Sequence, residues 1–269
     1  MSEPQMPVFL GAMTTLTIIP DPKHLLSPCL RLSSRASSST KLAEELAAEL
    51  RQKHGVEIVL TQADVAQEAA VKQVAADFAK FAAGRPLHIL VNNAGVGGDY
   101  LLKDVPVAEF HRIYSVNVLA PILVTQALLP YLPHDRSGRI VNISSVASSM
   151  GFATHTLYGG TKAALEAMTR TWARELSERA TVNAGDMYFA AGQAFWDQMQ
   201  PFQANCPLSA VREGVDDAKL VKMANENMNG RRPAYFSEVA GVVGMLCGPD
   251  SAWTTGSVIS ANGGFKFQT

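Results

Sequence analysis

Tyr158 and Lys162 stand four residues apart near the start of a helical pattern, which places a phenol and an ammonium on one face, one turn apart. A neighbouring ammonium favours the phenolate and lowers the phenol pKa from its usual ~10. A phenol so tuned donates a proton to a carbonyl oxygen as hydride reaches the carbon, or accepts it in the reverse direction. The spacing by itself is common in proteins, so its meaning depends on its neighbours. Ser144 and Ser145 follow an apolar run, where serine is ordinarily a turn or cap residue. Asn92-Asn93-Ala94-Gly95 follows another such run. Its amides are able to bridge strand ends and its small residues let backbone approach a ligand, although a plain turn would use the same residues. Asn117 lies inside a long apolar helical segment. It is either a buried, satisfied amide or the holder of a water that relays protons toward Lys162.

These residues need elements to position them. Leu42, Leu46 and Leu50 recur every fourth residue after Ser39 or Thr40, which predicts a capped helix ending at Gly55. Further helices are predicted over 67–83, 107–132, 157–179 and 237–247. Strands are predicted at 29–32, 56–60, 87–91, 139–143, 257–261 and from 181. Strands separated by helix-length segments imply right-handed crossovers. The expected fold is therefore α/β: a single doubly wound parallel sheet with helices on both faces. Ligands in such folds sit beyond the carboxyl ends of the strands, where the polar residues above fall.

Jointly, these residues resemble the short-chain dehydrogenase/reductase family, from about Arg35 to the C-terminus. The resemblance rests on Asn92-Asn93-Ala94-Gly95, Asn117, Ser145 thirteen residues before Tyr158, and Lys162. It also rests on Asp64-Val65 after the 56–60 strand, and on the ending Thr255-Gly256-Ser257 through Gly263-Gly264. The resemblance implies a Rossmann-like catalytic domain with Tyr158 as acid/base and Ser145 bonding the substrate oxygen. Lys162 would hold the nicotinamide ribose and tune Tyr158, Asn117 would support a proton relay, and Asp64 and Val65 would contact adenine. Asn92, Ala94 and Gly95 would line the cofactor groove. It also implies pairing of the outer helices between subunits, with Leu128, Leu129, Met168 and Trp172 as outer apolar positions, giving a homodimer or homotetramer.

Arg35 follows the 29–32 strand, where an acidic residue would bond the free ribose hydroxyls. An arginine there pairs instead with a 2′-phosphate, so the expected cofactor is NADP(H). The family's first strand ends in a Gly-rich turn opening a helix. Residues 1–28 contain one glycine, Gly11, and Pro20 and Pro22 interrupt a following helix. Residues 8–10 form a remnant strand at most, and residues 1–34 are read as an atypical segment plus the second strand. After Thr181-Val182-Asn183-Ala184 the usual Pro-Gly turn is also missing.

The region 187–236 is the expected cover of the substrate. Its Met187, Tyr188, Phe189, Phe195, Trp196, Met199 and Phe202 suggest an apolar or aromatic carbonyl or alcohol, as in polyketide-like specialised metabolism, or else simply pack a lid. The alternative is a non-catalytic, oligomer-forming relative that has lost its cofactor. An epimerase or dehydratase using the same Tyr and Lys would ordinarily need a longer substrate domain than 269 residues leave room for. The formal net charge of −1 gives no reason to expect nucleic acid or an anionic membrane as partner. Three scattered cysteines and six separate histidines show no metal spacing. The apolar run at 8–19 is too short to span a bilayer and no Lys or Arg precedes it, so a cytoplasmic location is expected.

Overall fold

The computed structural model describes residues 15–19, 29–33, 37–187, 234 and 236–264. Arg35, residues 8–10 and nearly all of the aromatic-rich region after Met187 lie outside the described residues. The elements are β1 (Thr15–Ile19), β2 (Cys29–Ser33), α1 (Ser37–His54), β3 (Ile58–Gln62), α2 (Glu68–Ala82) and β4 (Ile89–Asn92). They continue with α3 (Val107–Tyr114), α4 (Ala120–Leu128), β5 (Gly138–Ile143), α5 (Thr156–Glu175), β6 (Ala180–Met187), α6 (Phe236–Cys247) and β7 (Val258–Ala261). The strands form one sheet in the order β3-β2-β1-β4-β5-β6-β7.

Crossover helices join β2 to β3, β4 to β5 and β5 to β6, and each of these pairs is parallel. The exception is β1, which is antiparallel to both β2 and β4. The sequence expectation of a remnant at 8–10 falls outside the described residues; β1 at Thr15–Ile19 is a strand the sequence reading did not single out, and its direction has a simple cause. Residues 20–28 alone link it to β2, whereas a parallel crossover needs a dozen or more residues. The antiparallel pairing puts Ile19 opposite Ile89 at the amino edge of β4, and Leu16 opposite Asn92 at its carboxyl edge. The carboxyl end of β1 therefore lies at the edge away from Ser145 and Tyr158.

Alternation along the strands divides the core into two layers. Leu90, Ile140 and Val182 pack with Phe78 of α2, Val124 and Leu128 of α4 and Ala173 of α5. Ile89, Val91 and Val141 face the other way, against Val243 and Leu246 of α6. Leu128 thus belongs to the core and not to an outer face, because it is on the α4 stripe that meets the sheet. The apolar side chains left exposed on this side are Val107, Phe110, Leu119 and Ile122. The stretch Val107–Tyr131 is long and apolar enough to cross a membrane by length and composition, but its buried face is committed to the sheet.

Polar side chains pin the carboxyl edge from inside. Asn92 and Asn142 are register partners on β4 and β5, and the Asn92 amide donates to Asn142 Oδ1 at 2.8 Å. Asn142 in turn donates to Thr169 of α5 at 2.9 Å, and Asn92 to Thr125 of α4 at 3.3 Å. Each amide would cost on the order of 1–3 kcal/mol if buried without a partner, so together they specify how α4 and α5 sit on the sheet.

Phe78 is fully buried and meets the Tyr131 ring edge-on with centroids 5.2 Å apart. Phe78→Ala should lower the urea-unfolding free energy by about 3–5 kcal/mol. A loss below about 1 kcal/mol would show that this layer is not a close-packed core.

Candidate active site

The site is built where α5 begins. Gly159 and Gly160 permit a close approach there: a Cβ on Gly159 would lie 2.6 Å from the Ala147 carbonyl oxygen, and one on Gly160 2.7 Å from the Tyr114 hydroxyl. Without those glycines the first turn of α5 would be pushed off the Ser145 loop and off α3. Ser145 stands two residues past the end of β5 in extended conformation and caps the short 3₁₀ turn Val146–Ser148, its hydroxyl accepting from Ala147 N–H at 3.2 Å. The Ser145 hydroxyl also lies close enough to the Tyr158 phenol to favour its ionised form.

Lys162 points inward and is 4% exposed, its Nζ donating to the Ile143 carbonyl at 2.7 Å. The ammonium lies 5.7 Å from the centre of the Tyr158 ring. Burial pushes the Lys162 pKa down from 10.5 to about 8, with the nearby Glu166 opposing that fall. The phenol does not behave as the spacing alone predicted. Burial raises the Tyr158 pKa, and the Ser145 hydroxyl opposes this in part. Desolvation of the phenolate outweighs an ammonium whose short contact is with a backbone carbonyl. Tyr158 is therefore a protonated acid at neutral pH, ready to give a proton to an oxygen.

Asn117 occupies a π-helical turn, Ser115–Leu119, inserted between α3 and α4. Such a turn re-aims a side chain within a helix and is frequent at functional sites. The Asn117 amide pairs with Val96 as a peptide group would, accepting from its N–H and donating to its carbonyl, both at 2.8 Å. It also donates to Thr161 Oγ1 at 3.0 Å. Both amide hydrogens are committed, so Asn117 is a satisfied buried amide that fastens the loop after β4 to α5.

The loop after β4 is fastened at its far end too. Tyr100 N–H donates to the Thr154 carbonyl at 2.9 Å, and Arg112 donates to the Gly97 carbonyl at 2.9 Å while pairing with Glu109 at 2.6 Å. Asp99 lies 3.1 Å from His155 Nε2 and accepts from Thr154 Oγ1 at 3.2 Å. Thr154 holds a positive φ of 71°, an unusual backbone for a β-branched residue that these bonds sustain. The His155 ring lies 5.8 Å from that of Tyr158. Asp99, Thr154 and His155 are polar neighbours of the acid that the sequence reading did not single out.

The structure thus brings Asn92, Ala94, Gly95, Asn117, Ser145, Tyr158 and Lys162 to the carboxyl edge of β4 and β5. Asn92 faces inward to Asn142, and Ala94 packs against the core. Asp64 and Val65 follow β3 at the far side of the sheet, where Asp64 Oδ1 accepts from Ala66 N–H at 3.2 Å and Val65 is buried. Glu166, also missed, sits one turn beyond Lys162 and accepts from the Ser144 hydroxyl at 2.6 Å. Its i,i+4 spacing was readable, but its burial was not.

The sequence profile described as short chain dehydrogenase matches residues 30–190, beginning within β2 and leaving β1 outside. L-xylulose reductase of Aspergillus niger is 47% identical over 264 residues, covering 88% of this chain and 89% of that protein. L-xylo-3-hexulose reductase of Hypocrea jecorina is 44% identical, covering 86% of each. The crystal structure of a blue fluorescent protein from a metagenomic library in complex with NADPH is 30% identical. It aligns with a TM-score of 0.72 over 88% of this chain and 87% of that one.

The ammonium of Lys162 gives a pH prediction. Its pKa of about 8 against the ordinary 10.5 corresponds to a burial cost of roughly 3 kcal/mol at neutral pH. Between those values the unfolded chain holds the extra proton, so this contribution to stability rises as pH climbs from about 8 toward 10.5. Lys162→Met removes that cost but leaves both the Ile143 carbonyl and the buried Glu166 carboxylate without their partner, so no net gain in stability is expected at pH 7. In urea titrations the unsubstituted chain should nevertheless gain stability relative to Lys162→Met as pH rises from about 8 to about 9.5. A difference independent of pH would contradict a charged, desolvated Lys162.

Proposed function

Because the chain belongs to the short-chain dehydrogenases, we propose that it moves a hydride between NADPH and the carbonyl or hydroxyl carbon of a small polyhydroxylated substrate. The observation that carries this reading is the convergence of Ser145, Tyr158 and Lys162 at one strand edge, with the phenol protonated and the ammonium desolvated. When bound, NADPH supplies the hydride.

The nicotinamide end of such a cofactor fits the residues present. A Cβ on Gly95 would lie 3.5 Å from both Asn117 Oδ1 and Lys162 Nζ, and one on Gly97 would lie 3.9 Å from the Tyr158 ring. The absent side chains leave a cradle beside an ammonium that suits ribose hydroxyls. In this reading Lys162 holds the ribose and Ser145 donates a hydrogen bond to the substrate oxygen. Tyr158 holds the proton that this oxygen receives, and Asn117 keeps the loop after β4 in place. Arg35, by its position after β2, favours the 2′-phosphate of NADPH.

For the substrate, the polar mouth formed by Asp99, Thr154 and His155 beside Tyr158 supports a hydroxyl-bearing ketone. The names of the two fungal relatives agree with that class. The aromatic run that suggested an apolar substrate falls, past Met187, outside the described residues. The exposed Val107, Phe110, Leu119 and Ile122 are the surface on which a homodimer or homotetramer would pair.

The direction of β1 favours a second reading, a relative that no longer holds the cofactor. In a dinucleotide fold the turn after the first strand presents backbone N–H groups to the pyrophosphate. Here that end of β1 lies at the opposite edge.

One set of measurements separates the two. NADPH oxidation by the purified chain is followed with L-xylulose, L-sorbose and a series of simple aliphatic and aromatic ketones. Turnover is expected with the ketoses first, at a saturable but weak apparent affinity for NADPH. Tyr158→Phe should lower kcat by about 10²- to 10⁴-fold. No NADPH binding by fluorescence up to millimolar concentration, together with no turnover, would sink the reductase reading in favour of the second.

A further inference from the structure

Glu166 has no part in the roles assigned above, yet it is a buried acid in the middle of them. It lies four residues beyond Lys162 on α5, on the same helical face, and is 9% exposed. Its Oε1 accepts from the Ser144 hydroxyl at 2.6 Å. The Ser144 N–H is bonded to the Gly185 carbonyl at 2.8 Å, which extends the β5–β6 ladder to the residue before Ser145. Lys162 donates to the Ile143 carbonyl, one residue earlier still. A single carboxylate is therefore bonded to the corner that carries Ser145 and lies one helical turn from Lys162, whose ammonium is bonded to the neighbouring Ile143 carbonyl.

We propose that Glu166 is a positioning residue: the buried counter-ion of Lys162, which through Ser144 also fixes the Ser145 corner. A cation taken out of water without a partner discharges instead. The charge on Lys162 is what the ribose-holding role requires, and the catalytic part of this proposal rests on the reductase reading. Other titratable groups around Lys162 are few among the described residues. Tyr158 shares its helix, and Asp186, the residue before the end of β6, is buried on the sheet face that α5 covers, as Val182 is. Asn117 from the π-helical turn, and Ser144 and Ser145 from just past the end of β5, present neutral groups. The opposing influence of Glu166 on the lowered Lys162 pKa agrees with this assignment.

The test needs no turnover, so its failure is distinct from failure of the reductase reading. Lys162 is titrated by NMR in the cofactor-free full chain carrying ¹³C-labelled lysine, the signal being assigned by its loss in Lys162→Met. In Glu166→Gln the titration should move below that of the unsubstituted chain by about one pH unit or more, a tenfold change in the protonation constant. Glu166→Asp should restore part of the shift. A double-mutant cycle supplies the second readout: the destabilisation caused by Glu166→Gln should become smaller once Lys162 is Met. Should Glu166→Gln fail to fold while Glu166→Gln/Lys162→Met folds, the counter-ion role is upheld. If neither folds, the Glu166→Asp titration decides: a downward move supports the proposal and an unmoved one rejects it. An unchanged Lys162 titration in a folded Glu166→Gln chain, or a cycle with no coupling, would overturn it.

Discussion

A protonated amine cannot be moved into a protein interior at no cost, and Lys162 is the group around which the rest of this site has to be arranged. Its ammonium is desolvated enough for its pKa to fall to about 8, and it remains charged at neutral pH through local partners. One of these partners is the Ile143 carbonyl at the last residue of β5, with Glu166 a turn further along α5 as the opposing charge. Both depend on α5 lying hard against the end of the strand. That approach is permitted by Gly159 and Gly160 and aligned by the Asn142 to Thr169 bond beneath. The paired amides of Asn92 and Asn142 then carry the constraint across to β4. The active edge is thus one connected polar assembly, and its geometry follows from satisfying buried groups before any substrate arrives.

The same desolvation explains why the phenol and the ammonium move in opposite senses. Each is pushed toward its neutral form, so Tyr158 becomes a weaker acid and Lys162 a weaker base. The Tyr-Lys spacing alone suggested a phenol lowered by its neighbour, which would hold if both groups were in water. Inside the site, burial dominates and the Ser145 hydroxyl is the opposing influence on the phenol. The outcome suits proton donation to a carbonyl oxygen better than proton removal from an alcohol.

Much of this was legible in the sequence because periodicity and spacing are local properties. The Leu42, Leu46, Leu50 repeat marked α1, and the runs ending at Val91 and Ile143 marked the strands that carry the site. The convergence of Ser145, Tyr158 and Lys162 was readable from type and separation. What escaped was set by distant contacts or by chain length. The π-helical turn at Asn117 breaks no hydrophobic period, so the segment read as one helix. Glu166 looked like an ordinary helical acid until Ser144 was brought above it. Leu128 looked like an outer position until α4 was rotated onto the sheet. The direction of β1 depends on the shortness of the 20–28 link and not on any residue within the strand.

That reversed strand separates two things that usually travel together. The residues that orient a substrate oxygen come from β5, α5 and the π-helical turn, all on one side of β4. The backbone donors that would grip a pyrophosphate belong at the carboxyl end of β1, which here is turned to the other edge. Each hydrogen bond to a charged phosphate is worth roughly 1.5–3 kcal/mol, so losing two of them weakens binding by about a hundred- to ten-thousandfold or more. Such contacts, however, are equally strong before and during hydride transfer. Losing uniform binding raises the concentration at which the cofactor saturates without raising the barrier of the chemical step. The chemistry at Tyr158 and the capture of the dinucleotide are therefore separable demands on this fold. A chain with its proton-transfer apparatus assembled and its phosphate grip displaced should act as a catalyst limited by occupancy.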